Sequence, residues 1–188
     1  MDEGIDTVNS SVSYKLGMNV ERLFLTGMAI EGEGNTLNNT IYGNSQDNDL
    51  YGEDGNDILY GQSGDDYLEG GQGEDVLYGG DGDDTLVGEL GKDLLVGGLG
   101  NDTYVLDITD NADIIDDVGG QDTLEIGLSA GFPSVNQDQV WLRQVGNNLE
   151  VSIIGTEDKV TVKDWYSNPN KRLESIEVTD GSVLTAAN

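Results

Sequence analysis

The sequence predicts an all-β chain: a central parallel β-roll, wound at about eighteen residues per coil, with flanking antiparallel β segments that cap it. Three observations predict this. A nine-residue unit, Gly-x-x-Gly-x-Asp-x-apolar-x, recurs without a break from Gly34 to Val105. Each unit holds a single apolar residue at a fixed place, too few for an amphipathic helix or a conventional sheet core. Glycine and acid fill much of the remainder, with 28 glycines and 37 Asp and Glu against 8 Lys and Arg in 188 residues.

The elements follow from the register. The units begin at Gly34, Gly43, Gly52, Gly61, Gly70, Gly79, Gly88 and Gly97. The fourth position is Gly55, Gly64, Gly73, Gly82, Gly91 and Gly100, with Leu37 and Gln46 in the first two units. The sixth is Asn39, Asn48, Asp57, Asp66, Asp75, Asp84, Asp93 and Asp102. The eighth runs Ile41, Leu50, Leu59, Leu68, Leu77, Leu86, Leu95, Tyr104. Glycines at positions one and four permit the positive φ that a tight turn needs. The x-apolar-x tripeptide is a short strand whose central side chain points inward while its neighbours point out. Turn, strand, turn, strand closes one coil in two units, so alternate units stack. Two narrow sheets then face each other across the row from Ile41 to Tyr104.

Stacking brings the sixth-position carboxylates of alternate units to roughly 4.7–4.9 Å, one strand spacing. One edge carries Asn39, Asp57, Asp75 and Asp93; the other carries Asn48, Asp66, Asp84 and Asp102. The glycine turns between them expose backbone carbonyls, and Gly55, Gly64, Gly73, Gly82, Gly91 and Gly100 are candidate ligands through theirs. Calcium takes about 6–8 oxygens at about 2.3–2.6 Å and suits carboxylates with carbonyls, whereas magnesium prefers a tighter octahedron and keeps its water. The pairs 57/75, 75/93, 66/84 and 84/102 are all aspartate. Asn39 and Asn48 each supply a neutral ligand and predict weaker sites. Asp113 and Asp122, in degenerate units after a two-residue insertion, are candidate terminal ligands. The expectation is about four strong calcium sites and up to roughly eight in all.

One buried apolar side chain per nine residues returns less free energy than ordering those residues costs. Metal binding must therefore supply folding free energy. An unfolded state is expected without it, since high net charge and low hydrophobicity favour disorder.

Composition excludes other classes. A net charge of −29 repels nucleic acid. With no cysteine there is no disulfide, and with no histidine the commonest general base and zinc ligand are missing. Ser129 and Ser134 therefore have no activating partner. The carboxylate pairs repeat identically, unlike a catalytic site, so no catalytic or organic-cofactor residue is assigned. No twelve-residue EF-hand loop between helices is present. No apolar run is long enough for a membrane span. Met1 to Gly4 lacks the basic and apolar regions of a cleavable signal and reads as a start placed inside a longer protein.

Three regions are expected: an N-terminal flanking β segment at 1–33, the roll at 34–125 with core repeats at 34–105, and a C-terminal capping β domain at 126–188. The first shows strands at Thr7–Tyr14 and Val20–Thr26. The last shows Val140–Val145, Leu149–Ile154 and Val160–Val162 separated by turns, with Trp141 and Trp165. Outward residues of one sheet, Ile58, Val76, Leu94 and the tyrosines 42, 60 and 78, are more apolar than those of the other. Either a flanking segment or a partner covers that face, or the tyrosines form a stacked ladder that touches nothing else.

The units Gly70–Tyr78 and Gly79–Val87 resemble the RTX nonapeptide of haemolysin-type secreted bacterial proteins. The resemblance covers the eight units and implies a calcium-filled β-roll. It implies one-step secretion as an unfolded chain through a type I apparatus, a transient partner, with folding outside the cell. Val140 to Leu184 resembles the flanking domain that follows such arrays; Gly4–Val8 with Tyr14–Gly17 resembles segments that precede them. Leu37, Asn39, Gln46 and Asn48 depart from the pattern. The expected function is a non-catalytic, monomeric, secreted or cell-surface calcium module that supports a larger protein. The alternatives are an adhesin or substrate-binding module, or the accessory domain of a secreted lipase, protease or polysaccharide-modifying enzyme with its catalytic domain upstream.

Overall fold

A computed structural model describes residues 4–106, 111–127, 135–179 and 181–185. Ser129 and Ser134 lie outside the described residues. The N-terminal strands are β1 (Thr7–Ser10), β2 (Tyr14–Lys15), β3 (Arg22–Leu25) and β4 (Glu31–Asn35). The repeats form β5 (Thr40–Tyr42), β6 (Asp49–Asp54), β7 (Ile58–Ser63), β8 (Tyr67–Gly73), β9 (Val76–Asp81), β10 (Thr85–Gly91), β11 (Leu94–Leu99) and β12 (Thr103–Leu106). After them come β13 (Ala112–Ile115), β14 (Thr123–Ile126), β15 (Val140–Val145), β16 (Asn148–Ile153), β17 (Lys159–Val162), β18 (Ser175–Val178) and β19 (Val183–Thr185).

From β1 to β14 successive strands alternate between two sheets. One runs β1-β3-β5-β7-β9-β11-β13-β17-β16-β15 and the other β19-β18-β14-β12-β10-β8-β6-β4-β2. Within the array every pairing is parallel and offset by two units: Ile41 faces Leu59, Leu59 faces Leu77, and Leu77 faces Leu95. Strands run longer than the expected tripeptide. They continue round the glycine corner, where Glu53 pairs with Gly71 and Gln62 with Gly80. The eighth-position side chains are the core, each no more than 1% exposed. Gly32 takes the equivalent place one coil before Leu50. A methyl there would press on Leu23, Leu50 and Ile41 at 3.2–3.3 Å.

The coil extends past the array at both ends. Upstream, β1 and β3 pair parallel, and β3 continues into β5 through Leu23 opposite Ile41. The expected strand Thr7–Tyr14 is broken at Ser11 because the Ser10 hydroxyl turns the chain, donating to the Val12 carbonyl at 2.7 Å. The two halves therefore join opposite sheets. Downstream, β17 and β18 stack parallel on β13 and β14 and form one further coil. Among the described residues, antiparallel pairing is confined to the C-terminal end, where β15, β16 and β17 extend one sheet and β19 the other. Pro169–Lys171 forms a single 3-10 turn.

Among the described residues, the flanks lengthen the apolar sheet at its edges rather than lying across it. Ile58, Val76 and Leu94 stay half-buried. Beside them Phe24, Tyr42, Tyr60 and Tyr78 form a ladder, with ring centroids 4.4, 4.8 and 5.0 Å apart and planes within 7° of parallel. Parallel in-register pairing places these rings one strand spacing apart, which is the stacking distance. Phe24 shows that the ladder begins in the N-terminal flank.

Candidate metal centres

The turns hold the sixth-position side chains in two rows, one on each edge. Asp57, Asp75 and Asp93 on one edge and Asp66, Asp84 and Asp102 on the other are at most 3% exposed. Each carboxylate uses Oδ1 to accept the backbone N–H of the residue one coil below. The Asp57 N–H donates to Asp75 at 2.7 Å, Asp75 to Asp93 at 2.7 Å, and Asp93 to Asp113 at 2.9 Å. On the second edge Asp66 donates to Asp84 at 2.8 Å, Asp84 to Asp102 at 3.0 Å, and Asp102 to Asp122 at 3.0 Å. The rows continue into the C-terminal region. The Asp122 N–H donates to Glu174 Oε2 at 2.8 Å, and the Asn111 N–H to Asp158 Oδ1 at 3.3 Å.

The second oxygen is the unusual one. Among the described residues, Oδ2 of Asp57, Asp66, Asp75, Asp84, Asp93, Asp102, Asp117 and Asp122 is buried without a hydrogen-bond partner. A carboxylate oxygen out of water with no donor is costly, and a repeated array of them needs a common explanation. Burial, opposed by the backbone N–H bonds, lifts the carboxyls of Asp57, Asp66, Asp84 and Asp93 to about 7 and those of Asp75 and Asp102 to about 6. Asp122 is lifted to about 8, by burial and then by the Asp117 carboxyl close beside it. A hard cation resolves both features. It supplies the missing partner and keeps the carboxylate ionised. The donor set fits calcium: all-oxygen, anionic, and lined by stacked carbonyls.

The glycines divide their labour differently from the sequence expectation. Those at position one have ordinary φ; their missing side chain makes room for the carboxylate. A Cβ on Gly52 would lie 2.6 Å from Asp57 Oδ2, and the same overlap recurs at Gly61, Gly70, Gly79, Gly88 and Gly97. Positive φ belongs to positions two and four. At position four, Gly55, Gly64, Gly73, Gly82 and Gly100 have φ of 131, 115, 150, 142 and 135°. Gly91 has no positive φ, yet a Cβ on it would overlap the Gly73 carbonyl. The position-four carbonyls thus stack coil upon coil, as ligands through their backbone must. At position two, Gly71, Gly80 and Gly98 are joined by Glu53, Gln62 and Glu89 with φ of 79, 84 and 68°. Position two is silent in the sequence because most of its residues are not glycine.

The first two units are built otherwise. Asn35 and Asn44 at position two stay out of the left-handed region. Their N–H groups donate to Asn39 Oδ1 and Asn48 Oδ1, each at 2.7 Å. Their side-chain oxygens accept the N–H of Leu37 and Gln46, each at 2.8 Å, closing Asx turns that need no glycine at position four. The Asn39 and Asn48 amides donate to the Val20 and Ala29 carbonyls, each at 3.1 Å. Residues two, four and six therefore change together. The expectation of ligands at Asn39 and Asn48 meets amides whose oxygens and nitrogens already have protein partners.

Asp117 is a candidate that the repeat pattern does not mark. Counting back five residues from Asp122 puts it at position one of a degenerate unit, and that count is its one signal in the sequence. It is 1% exposed, and its Oδ1 accepts the Gly98 N–H at 3.2 Å. Asp102, Asp117 and Asp122 offer oxygens that all lie within 4.8 Å of one another.

Residues 33–68 and 69–104 match the family model of the RTX calcium-binding nonapeptide repeat, and residues 148–188 match the haemolysin-type calcium binding protein related domain. Among solved structures, the crystal structure of the extracellular lipase LipA from Serratia marcescens is similar at 17% identity and a TM-score of 0.31. That similarity covers 82% of this chain and 39% of the lipase, so the chain spans well under two thirds of the lipase's length. The parallel coil is thus a β-roll of RTX calcium-binding nonapeptide repeats at residues 33–104, followed at 148–188 by a haemolysin-type calcium-binding protein related domain.

Proposed function

We propose that this chain is a calcium-dependent folding module of a larger secreted protein. In this reading it stays unfolded where calcium is scarce, passes a type I secretion apparatus in that state, and folds on meeting calcium outside the cell. It works as a monomer and carries no catalysis of its own. Asp57, Asp66, Asp75, Asp84, Asp93 and Asp102 are its ligands, with Asp113 and Asp122 at the terminal end and position-four carbonyls completing the shells.

The observation that carries the reading is the repeated orphan: one buried, unpartnered carboxylate oxygen in each of the six aspartate units of the array. Ionised and without metal, such rows oppose the fold through desolvation and mutual repulsion. With metal, binding free energy becomes folding free energy. No helix among the described residues is long and apolar enough to cross a membrane.

Circular dichroism of the stripped chain, with calcium added to millimolar levels and then removed by chelator, tests the proposal. The expected result is a cooperative, reversible gain of β signal with calcium. An identical spectrum with and without chelator would sink it.

A further inference from the structure

The C-terminal end of the second carboxylate row differs from its interior. In the unit at 117–125, an aspartate stands at position one, where every unit of the array has glycine. Asp117 does not point to solvent. It is 1% exposed, takes one backbone N–H on Oδ1, and keeps a buried Oδ2 with no partner. Asp102 and Asp122 are equally buried, and each also keeps a buried Oδ2 without a partner. The Tyr104 hydroxyl stands beside them, accepting the Gly97 N–H at 2.9 Å. Interior aspartates are shared between successive coils, so an ion there meets at most a pair of carboxylates. Here three converge, with their oxygens all within 4.8 Å of one another.

The corner is also held from outside. The Asp122 N–H donates to Glu174, and the Glu174 N–H donates back to the Asp122 carbonyl at 2.8 Å. The Gly119 N–H donates to the Asn170 carbonyl at 2.8 Å. Calcium affinity rises with the number of charged ligands, and among the described residues three carboxylates offer oxygens within reach of one ion at this corner.

We propose that Asp102, Asp117 and Asp122 form a three-carboxylate calcium site that joins the roll to the C-terminal region and fills before the repeated two-carboxylate sites. The proposal rests on the calcium reading above and adds a ligand, Asp117, outside the repeat pattern, together with an order of filling. Such a site makes the C-terminal corner the point from which the metal-bound coil grows.

The test is a calcium titration of the stripped 188-residue chain by calorimetry, in wild type and in the variants Asp117→Asn, Asp117→Gly and Asp75→Asn. Asp117→Asn keeps shape and removes charge. Asp117→Gly restores the residue that the array carries at this position, so it preserves the coil if asparagine packs poorly. Circular dichroism at saturating calcium reports folding for each. Wild type should bind one ion at a free calcium about tenfold or more below the rest. Both Asp117 variants should lose that first step and keep the later ones, while Asp75→Asn should keep the first and lose later equivalents. An unchanged first step in both Asp117 variants overturns the terminal site while leaving calcium binding by the repeats intact. A wild-type chain that binds no calcium overturns this proposal and the calcium reading together.

Discussion

At Asn39 and Asn48 the loops are closed by amides; from Asp57 to Asp102 the same position holds carboxylates that keep one buried oxygen without a partner. The strands above and below stack in one register, while the loops between them differ in backbone: Asn35, Leu37, Asn44 and Gln46 stay out of the left-handed region that Glu53, Gln62, Gly55 and Gly64 enter. The difference lies in three side chains per loop. An amide oxygen accepts the position-two N–H and the amide nitrogen satisfies a carbonyl of the N-terminal flank. An ionised carboxylate has no proton to give, so its second oxygen stays unpartnered unless a proton or a cation reaches it. The first coil of the array is thus closed by hydrogen bonds, and on the calcium reading the coils that follow are closed by metal.

The largest expected effect separates the two loop types directly. Asp75→Ala strips the acceptor from the buried Asp57 N–H and removes a ligand common to two stacked pairs. The orphaned N–H alone costs about 1–3 kcal/mol. The calcium midpoint for folding should rise about tenfold or more. A calcium titration followed by circular dichroism checks this; a midpoint equal to wild type would remove Asp75 from the ligand set.

Asn39→Ala should behave in the opposite way. It removes the acceptor of the Asn35 N–H and the donor to the Val20 carbonyl, at a cost of about 1–3 kcal/mol. On the reading that the amide loop holds no metal, the number of calcium ions bound should not change. Thermal melts at saturating calcium, paired with an ion count, check it. Loss of an ion would show that the first coil binds metal after all.

The aspartate loops should also titrate where the asparagine loops do not. Burial raises these carboxyls from 3.8 to about 6–7. A folded-state pKa above the unfolded one stabilises the protonated coil. That contribution is complete below about 3.8 and fades as pH rises through about 6–7. In chelator, the chain should therefore be more ordered at about pH 5 than at about pH 8. Calcium requires the ionised form, so its midpoint should rise as pH falls below about 7. Circular dichroism at both pH values, with and without calcium, gives both signs. Greater order at the higher pH in chelator would reverse the argument.

The smallest effect concerns position two. Glu89 sits at φ 68°, a conformation that costs a side-chain-bearing residue about 1–2 kcal/mol. Glu89→Gly should stabilise the calcium-bound roll by about 1 kcal/mol, less the greater entropy of glycine in the unfolded chain. A melting temperature that falls instead would mean that the Glu89 side chain contributes more than its backbone strain costs.

Much of this is legible in the sequence. The period sets the strand register, so the core row, the two aspartate edges and the pairing of alternate units can be counted along the chain. The degenerate continuation through Asp113 and Asp122 is also visible, because the carboxylates stay in phase after the insertion. Asp117 is hidden because an aspartate at a glycine position reads as a broken repeat. The coil formed by β1 to β4 is hidden because no glycine or aspartate stands at positions one, four and six, which fall on Leu16 and Leu25, Asn19 and Met28, and Glu21 and Ile30. Only Leu23, eighteen residues before Ile41 and paired with it, betrays it. β17 and β18 are hidden for a further reason: the insertion carrying β15 and β16 parts Asp113 from the residues it stacks on.

By itself the sequence determined everything that depends on spacing along the chain: the pitch of the coil, which side chains turn inward, and which carboxylates lie above one another. Tertiary structure decided what depends on the coil next door. There, position-one glycines clear space for an oxygen, asparagine loops close without a cation, and three acids from two coils meet at one corner. The reason is distance. A repeat fixes its own dihedrals, but whether an oxygen finds a donor, a metal or another carboxylate is settled by atoms a coil away.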